Sequence, residues 1–106
     1  MKQTILTLAG ALTSVALLSF PTVAKSQSIS NAELSATTCF QCHGAEGRSS
    51  GGSIPPLAGY PEKIMVQQLI DMKSGKRPTT VMGRHAKGYT DDEIRAIAKY
   101  LATLKP

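Results

Sequence analysis

The chain has 106 residues, with no tryptophan, two phenylalanines, three tyrosines and two cysteines. Phe20 lies in an N-terminal apolar segment, which leaves Phe40 as the one phenylalanine available to a folded core. A small domain this poor in large side chains needs a covalent staple or a buried cofactor to remove enough apolar surface from water. Two cysteines permit one disulfide at most, and with His85 as the other remaining soft donor they fall short of a structural zinc site. Twelve Lys and Arg against seven Asp and Glu give a formal charge of +5, but acidic residues are spread among the basic ones. There is no arginine-rich run, aromatic ladder or zinc-finger spacing, so nucleic acid is not an expected partner. No segment alternates apolar and polar residues between turn signals, which argues against strands. G-x-G-x-x-G and a βαβ pattern are also missing, so the chain has no ordinary means of binding a flavin or dinucleotide itself.

What is present is the pentapeptide Cys39-Phe40-Gln41-Cys42-His43. C-x-x-C-H is the attachment pattern of haem c. Two intervening residues bring both thiols to one edge of a macrocycle, where they add across its vinyl groups as thioethers. The adjacent His43 then lies under the iron as a proximal ligand. A surface disulfide, half a zinc site and a thioredoxin-like dithiol are the competing readings. The dithiol would require a preceding strand, which is not visible.

The N-terminus fits this chemistry. Lys2, an apolar run from Ile5 to Phe20 and the small-residue end Thr22-Val23-Ala24 predict a secretory signal over residues 1–24. A single domain over residues 25–106 is expected, free in the periplasm with no membrane anchor after cleavage. An uncleaved anchor is the alternative, but the apolar run is short for a membrane span. Loss of Lys2 would lower the formal charge from +5 to +4, and two haem propionates would lower it further.

Capping and periodicity predict an all-α domain wrapped around one haem. Ser30 to Glu33 matches a capping box, opening a helix that runs into the pentapeptide and stops at Gly44. Five glycines and Pro55-Pro56 make residues 44–59 a loop, long enough for so small a domain that it should wrap a ligand. Pro61 opens a second helix reaching about Lys73, with Met65, Leu69 and Met72 on its inner face and Gly75 as its stop. Thr90 to Glu93 is a second capping box. It precedes a stripe of Ile94, Ile97, Ala98, Leu101 and Leu104 at helical spacing.

A sixth iron ligand separates an electron carrier from an open-site haem protein. Met65 and Met72 fall on an apolar helix face, where methionine usually fills core. Met82 is expected in a loop between two helices, free to point its thioether at the iron, and His85 is its rival. His/Met ligation raises a haem potential and bis-His lowers it. A proximal histidine also donates its other N–H to a fixed acceptor, and the carbonyl of Pro55 or Pro56 could serve.

The order of parts resembles a small single-haem cytochrome c of the mitochondrial-type fold: helix, C-x-x-C-H, P-x-L-x-G loop, methionine loop, final helix. Pro55-Pro56-Leu57-Ala58-Gly59 matches the loop, and the likeness makes Pro55 the acceptor for His43. Tyr100 falls where the family often sets an aromatic against the first helix. The glycine and aromatic usual before the haem motif are replaced by Asn31 and Ser35. The stretch Thr80 to Tyr89 is similar to the methionine loop of cytochrome subunits of flavocytochrome c sulfide dehydrogenases, with His85 in place of an isoleucine. That likeness implies an FAD-bearing flavoprotein partner that oxidises sulfide, with other cytochromes accepting the electrons and no catalytic site on this chain. A free carrier between redox enzymes is the alternative, and an open-site haem enzyme or gas binder a lower one. Lys63, Lys73, Lys76, Arg77, Arg84 and Lys87 surround the expected crevice and are candidate docking charges.

Overall fold

A computed structural model of the chain describes residues 29–106. The expected signal over residues 1–24 lies outside them. The described residues form four helices and no strand: α1 (Asn31–His43), α2 (Glu62–Ser74), α3 (Met82–Lys87) and α4 (Asp91–Thr103), with a 3-10 turn at Ala45–Gly47 after α1. None is long and apolar enough to cross a membrane.

α4 has the strongest local specification. Thr90 accepts from the Glu93 N–H at 3.2 Å, and the Glu93 carboxylate accepts from the Thr90 N–H at 2.7 Å. Both halves of the capping box are therefore made. The Thr90 backbone N–H, and then its hydroxyl, hold the Glu93 carboxyl below its ordinary value of 4.5. A depressed carboxylate contributes stability above its unfolded pKa and loses it as pH falls through the folded one. The stability gap between the parent and Glu93→Gln in thermal melts should therefore narrow as pH drops below 4.5. A gap that does not change with pH would refute this role.

The stripe behaves as the periodicity requires. Ile94, Ile97, Ala98 and Leu101 are buried, and Leu104 packs against their cluster. Full burial of Ile94 or Leu101 contributes about 1.5–3 kcal/mol. α2 runs one residue past the expected end and closes at Gly75 in the left-handed conformation (φ 82°). Of its inner face, Met65 enters the core, while Leu69 and Met72 are half-buried and line a cleft.

α1 departs from expectation in its cap. Ser30 accepts from the Glu33 N–H at 3.1 Å, but the Glu33 carboxylate accepts from the Tyr100 hydroxyl at 3.5 Å. Glu33 thus serves the contact with α4 instead of closing a reciprocal box. That contact is built from small residues: Ala36 of α1 and Ala98 of α4 are both fully buried in one cluster. Alanine's small side chain at both positions lets the two helices pack closely. α1 ends at Gly44 (φ 82°), where a Cβ would sit 3.0 Å from the Arg48 carbonyl oxygen.

The loop after Gly44 is held at both ends. Leu57 and Ala58 N–H groups donate to the Gly47 carbonyl at 2.7 and 3.1 Å, and Gly59 N–H to the Leu101 carbonyl at 3.0 Å. Arg48 Nε donates to the Lys105 carbonyl at 2.8 Å. These bonds fix Pro55 against the end of α1.

Met82 corrects the expectation of a loop: it is the first residue of α3. This helix has six residues and contains Gly83, so neither length nor periodicity announces it. Its start depends on the Thr79 hydroxyl, which accepts from the Gly83 N–H at 2.8 Å, and on burial of Ala86 in a helix that packs against α2.

Candidate functional site

The last turn of α1 carries Cys39, Cys42 and His43, which share one helical face at i, i+3 and i+4. His43 is 7% exposed. Its Nδ1 lies 2.7 Å from the Pro55 carbonyl oxygen. A carbonyl only accepts, so Nδ1 carries the proton and Nε2 presents its lone pair. The two prolines stiffen the loop that holds this acceptor in place. The imidazole is thus oriented as a metal ligand is, with its tautomer fixed from behind.

The two cysteines are not joined in a disulfide; Cys39 is half-buried and Cys42 exposed. Burial pushes the Cys39 thiol up from its ordinary value, against smaller lowering contributions from Thr38 and its own backbone. Both residues also sit at the C-terminal end of their helix, where the helix dipole disfavours a thiolate. A redox dithiol needs the opposite setting. Among the described residues no group of three or more His, Cys, Asp and Glu side chains could hold a metal ion.

Beside His43 opens a cleft of two lobes, about 460 and 470 Å³. His43, Ser53, Pro55, Thr80 and Met82 line both. One lobe adds Cys39, Cys42, Thr38, Val81, His85 and Tyr89. The other adds the apolar Leu57, Met65, Leu69 and Met72, together with Tyr60, Gln68 and Arg77. Of the four candidates for a sixth ligand, Met82 alone borders both lobes with His43. Met65 and Met72 border one, and His85, an exposed side chain, borders the other.

The donor set fits a haem. Its apolar walls suit a flat ring, and the thiols stand at one end of the cleft. At the other end Arg77 has no acidic partner among the described residues. Nearby, the Tyr60 hydroxyl accepts from Gln68 at 3.2 Å, leaving its own proton to donate. These are the groups that two ring carboxylates require. Sequence reasoning placed Arg77 only among docking charges and passed over Tyr60 and Gln68. Nothing in local spacing marks either, because Tyr60 precedes α2 and meets Gln68 eight residues on, beyond the i+3 and i+4 neighbours of a helix.

The remaining cations divide in two. Lys73 pairs with Asp91 at 2.8 Å and Lys76 with Asp71 at 3.6 Å, whereas Lys63, Arg84 and Lys87 have no acidic partner among the described residues. Arg84 and Lys87 are exposed on α3, the helix that Met82 begins.

Comparison with known proteins agrees with this donor set. The cytochrome c family profile matches residues 31–105. The chain is 47% identical over 75 residues to the cytochrome subunit of sulfide dehydrogenase from Chlorobaculum tepidum, covering 71% of this chain and 67% of that protein. It is 39% identical over 69 residues to a thiosulfate dehydrogenase electron acceptor from Stutzerimonas stutzeri, covering 62% of this chain and 32% of that one. Cytochrome c4 from Pseudomonas aeruginosa is 37% identical over 70 residues, covering 66% of this chain and 35% of that protein. The chain therefore matches about a third of the length of the last two relatives. With the match running through the described helices from α1 to the end of α4, the chain belongs to the cytochrome c family and is an electron carrier with covalently bound haem c.

Proposed function

We propose that Cys39 and Cys42 would hold haem c through two thioether bonds, that His43 Nε2 and the Met82 sulfur would ligate its iron, and that Pro55 fixes the His43 ring. The observation that carries this reading is that Met82, alone among the candidate sixth ligands, borders both lobes of the cleft together with His43. Haem c supplies one-electron Fe(III)/Fe(II) chemistry when bound. The chain's residues contribute ligation from two sides, an apolar wall that excludes water, and cationic and phenolic groups for the carboxylates. With both residues ligating the iron no position would remain for a small substrate, which supports a carrier over a haem enzyme.

In this reading residues 1–24 are a signal that is removed and the domain works in the periplasm, where haem c is attached. Its donor is an FAD-bearing flavoprotein that oxidises sulfide, and other cytochromes take the electrons onward. The 47% identity to a sulfide dehydrogenase cytochrome subunit supports that partner. A free carrier is the second reading, favoured by the likeness to cytochrome c4 and to an electron acceptor of thiosulfate dehydrogenase. Purification from the native source, with flavin and haem quantified in each fraction, decides between them. Flavin in the haem peak is expected. A haem-bearing monomer without flavin would replace the subunit reading with the free carrier.

Docking is assigned to the unpaired cations of α3. Reversing Arg84 or Lys87 to Glu should slow electron exchange with an acidic partner about tenfold at ~0.01 M ionic strength. The effect should vanish near 1 M, where the Debye length is ~3 Å. Stopped-flow rates that are unchanged at low salt would remove both residues from the docking surface.

A further inference from the structure

We propose that Tyr89 and Thr38 form a latch across the cleft that holds Met82 in register with His43. The inference rests on the assignment of Met82 as sixth ligand. α1 carries Cys39, Cys42 and His43, while Met82 begins α3. α3 and the residues after it form one unit: Gly88 N–H donates to the His85 carbonyl at 3.0 Å and Tyr89 N–H to the Ala86 carbonyl at 3.3 Å. Ala86 is 2% exposed and anchors this unit. Displacement of Tyr89 is therefore displacement of Met82.

The unit packs against α2. Its link to α1 is different in kind. The Thr38 and Tyr89 hydroxyl oxygens lie 2.9 Å apart, bridging 51 residues of sequence. Among the described residues this is the only hydrogen bond between α1 and residues 76–89. Both residues line the lobe that contains the cysteines, so the bond closes the wall of that lobe.

Proton direction follows from Thr38's other contact. Its hydroxyl donates to the Ser35 carbonyl at 2.8 Å. A hydroxyl has one proton, so the Tyr89 hydroxyl is the donor to Thr38 Oγ1. The Tyr89 ring packs against the core cluster, and Tyr89→Phe keeps that packing while deleting only the latch. Thr38→Val removes the acceptor with little change in shape, and Thr38→Ser retains it.

The test uses the secreted, haem-loaded chain in its oxidised state, titrated with imidazole as an external ligand that competes with Met82. The near-infrared thioether-to-iron charge-transfer absorbance reports the loss of Met82. Tyr89→Phe and Thr38→Val should each raise imidazole affinity about two- to tenfold, the range of one modest hydrogen bond. The double variant should go no further than either single one, and Thr38→Ser should match the parent. Unchanged affinity in Tyr89→Phe would overturn the latch, as would effects that multiply in the double variant. A lowered denaturation midpoint with unaltered imidazole affinity would also overturn it, since that is the mark of a merely structural contact. A parent protein that lacks the charge-transfer absorbance would overturn the Met82 assignment, and the latch with it. A parent that shows the absorbance confines any failure to the latch.

Discussion

Met82→Ala is expected to convert a protein inert towards carbon monoxide into one that binds it stoichiometrically in the reduced state. The parent should resist if, as proposed, the Met82 thioether ligates the iron opposite His43. No other side chain is equally placed: Met65 is locked in the core at 4% exposure and Met72 borders only the lobe away from the cysteines. Removing a thioether ligand should also lower the midpoint potential by a sizeable part of the ~0.8 V range that axial ligands control. His85 gives the experiment a second arm. It is three residues from Met82 and borders the cysteine lobe. If its imidazole replaces the lost sulfur, the single variant will show a low potential but still resist carbon monoxide. Adding His85→Ala will then open the site. Carbon monoxide binding by the unaltered protein would show that Met82 is not the ligand.

Replacing both Cys39 and Cys42 with alanine should abolish covalent haem and with it the stable fold. The buried cluster consists of Ala36, Met65, Ile97, Ala98 and Leu101, of which two are alanines. A core in a domain of under ~80 residues rarely supplies more than ~3–5 kcal/mol. The cleft beside it is lined with Leu57, Leu69 and Met72, whose apolar surface is covered only when a ring fills the space. Mass spectrometry of the exported double variant should show no prosthetic mass, and far-ultraviolet circular dichroism should show most of the helix lost. A single replacement should retain one thioether and an intermediate stability. A fully helical double variant would mean that the protein core suffices alone, contrary to its composition.

The legible parts of this protein are those whose causes lie within a few residues. The Thr90 box and the stripe from Ile94 to Leu104 define α4 because capping and helical burial are set by neighbours at i+3 and i+4. Gly75 marks the end of α2 for the same local reason. The cysteines and His43 are equally visible, since attachment to one ring edge demands that its three reacting groups be adjacent in the chain.

Other features have causes far away in sequence. α1 has no apolar stripe that would reveal its buried face, which Ala36 acquires only by meeting Ala98. Glu33 looks like the reciprocal half of a cap but is drawn to Tyr100, 67 residues on. Met82 reads as a loop residue because the helix it begins is stabilised by Thr79 and by packing of Ala86. Charge counting cannot separate Lys73, neutralised by Asp91, from the unpaired Arg84 and Lys87.

Local composition and spacing thus determine the haem attachment point, the helical class and the two strongest helix boundaries, because each depends on a single turn of chain. Tertiary packing decides which methionine shares both lobes of the cleft with His43, which carbonyl holds its ring, and how Thr38 meets Tyr89. Those relations are distances between segments 12 to 51 residues apart, set by helix packing together with the hydrogen bonds that tie the loops to it.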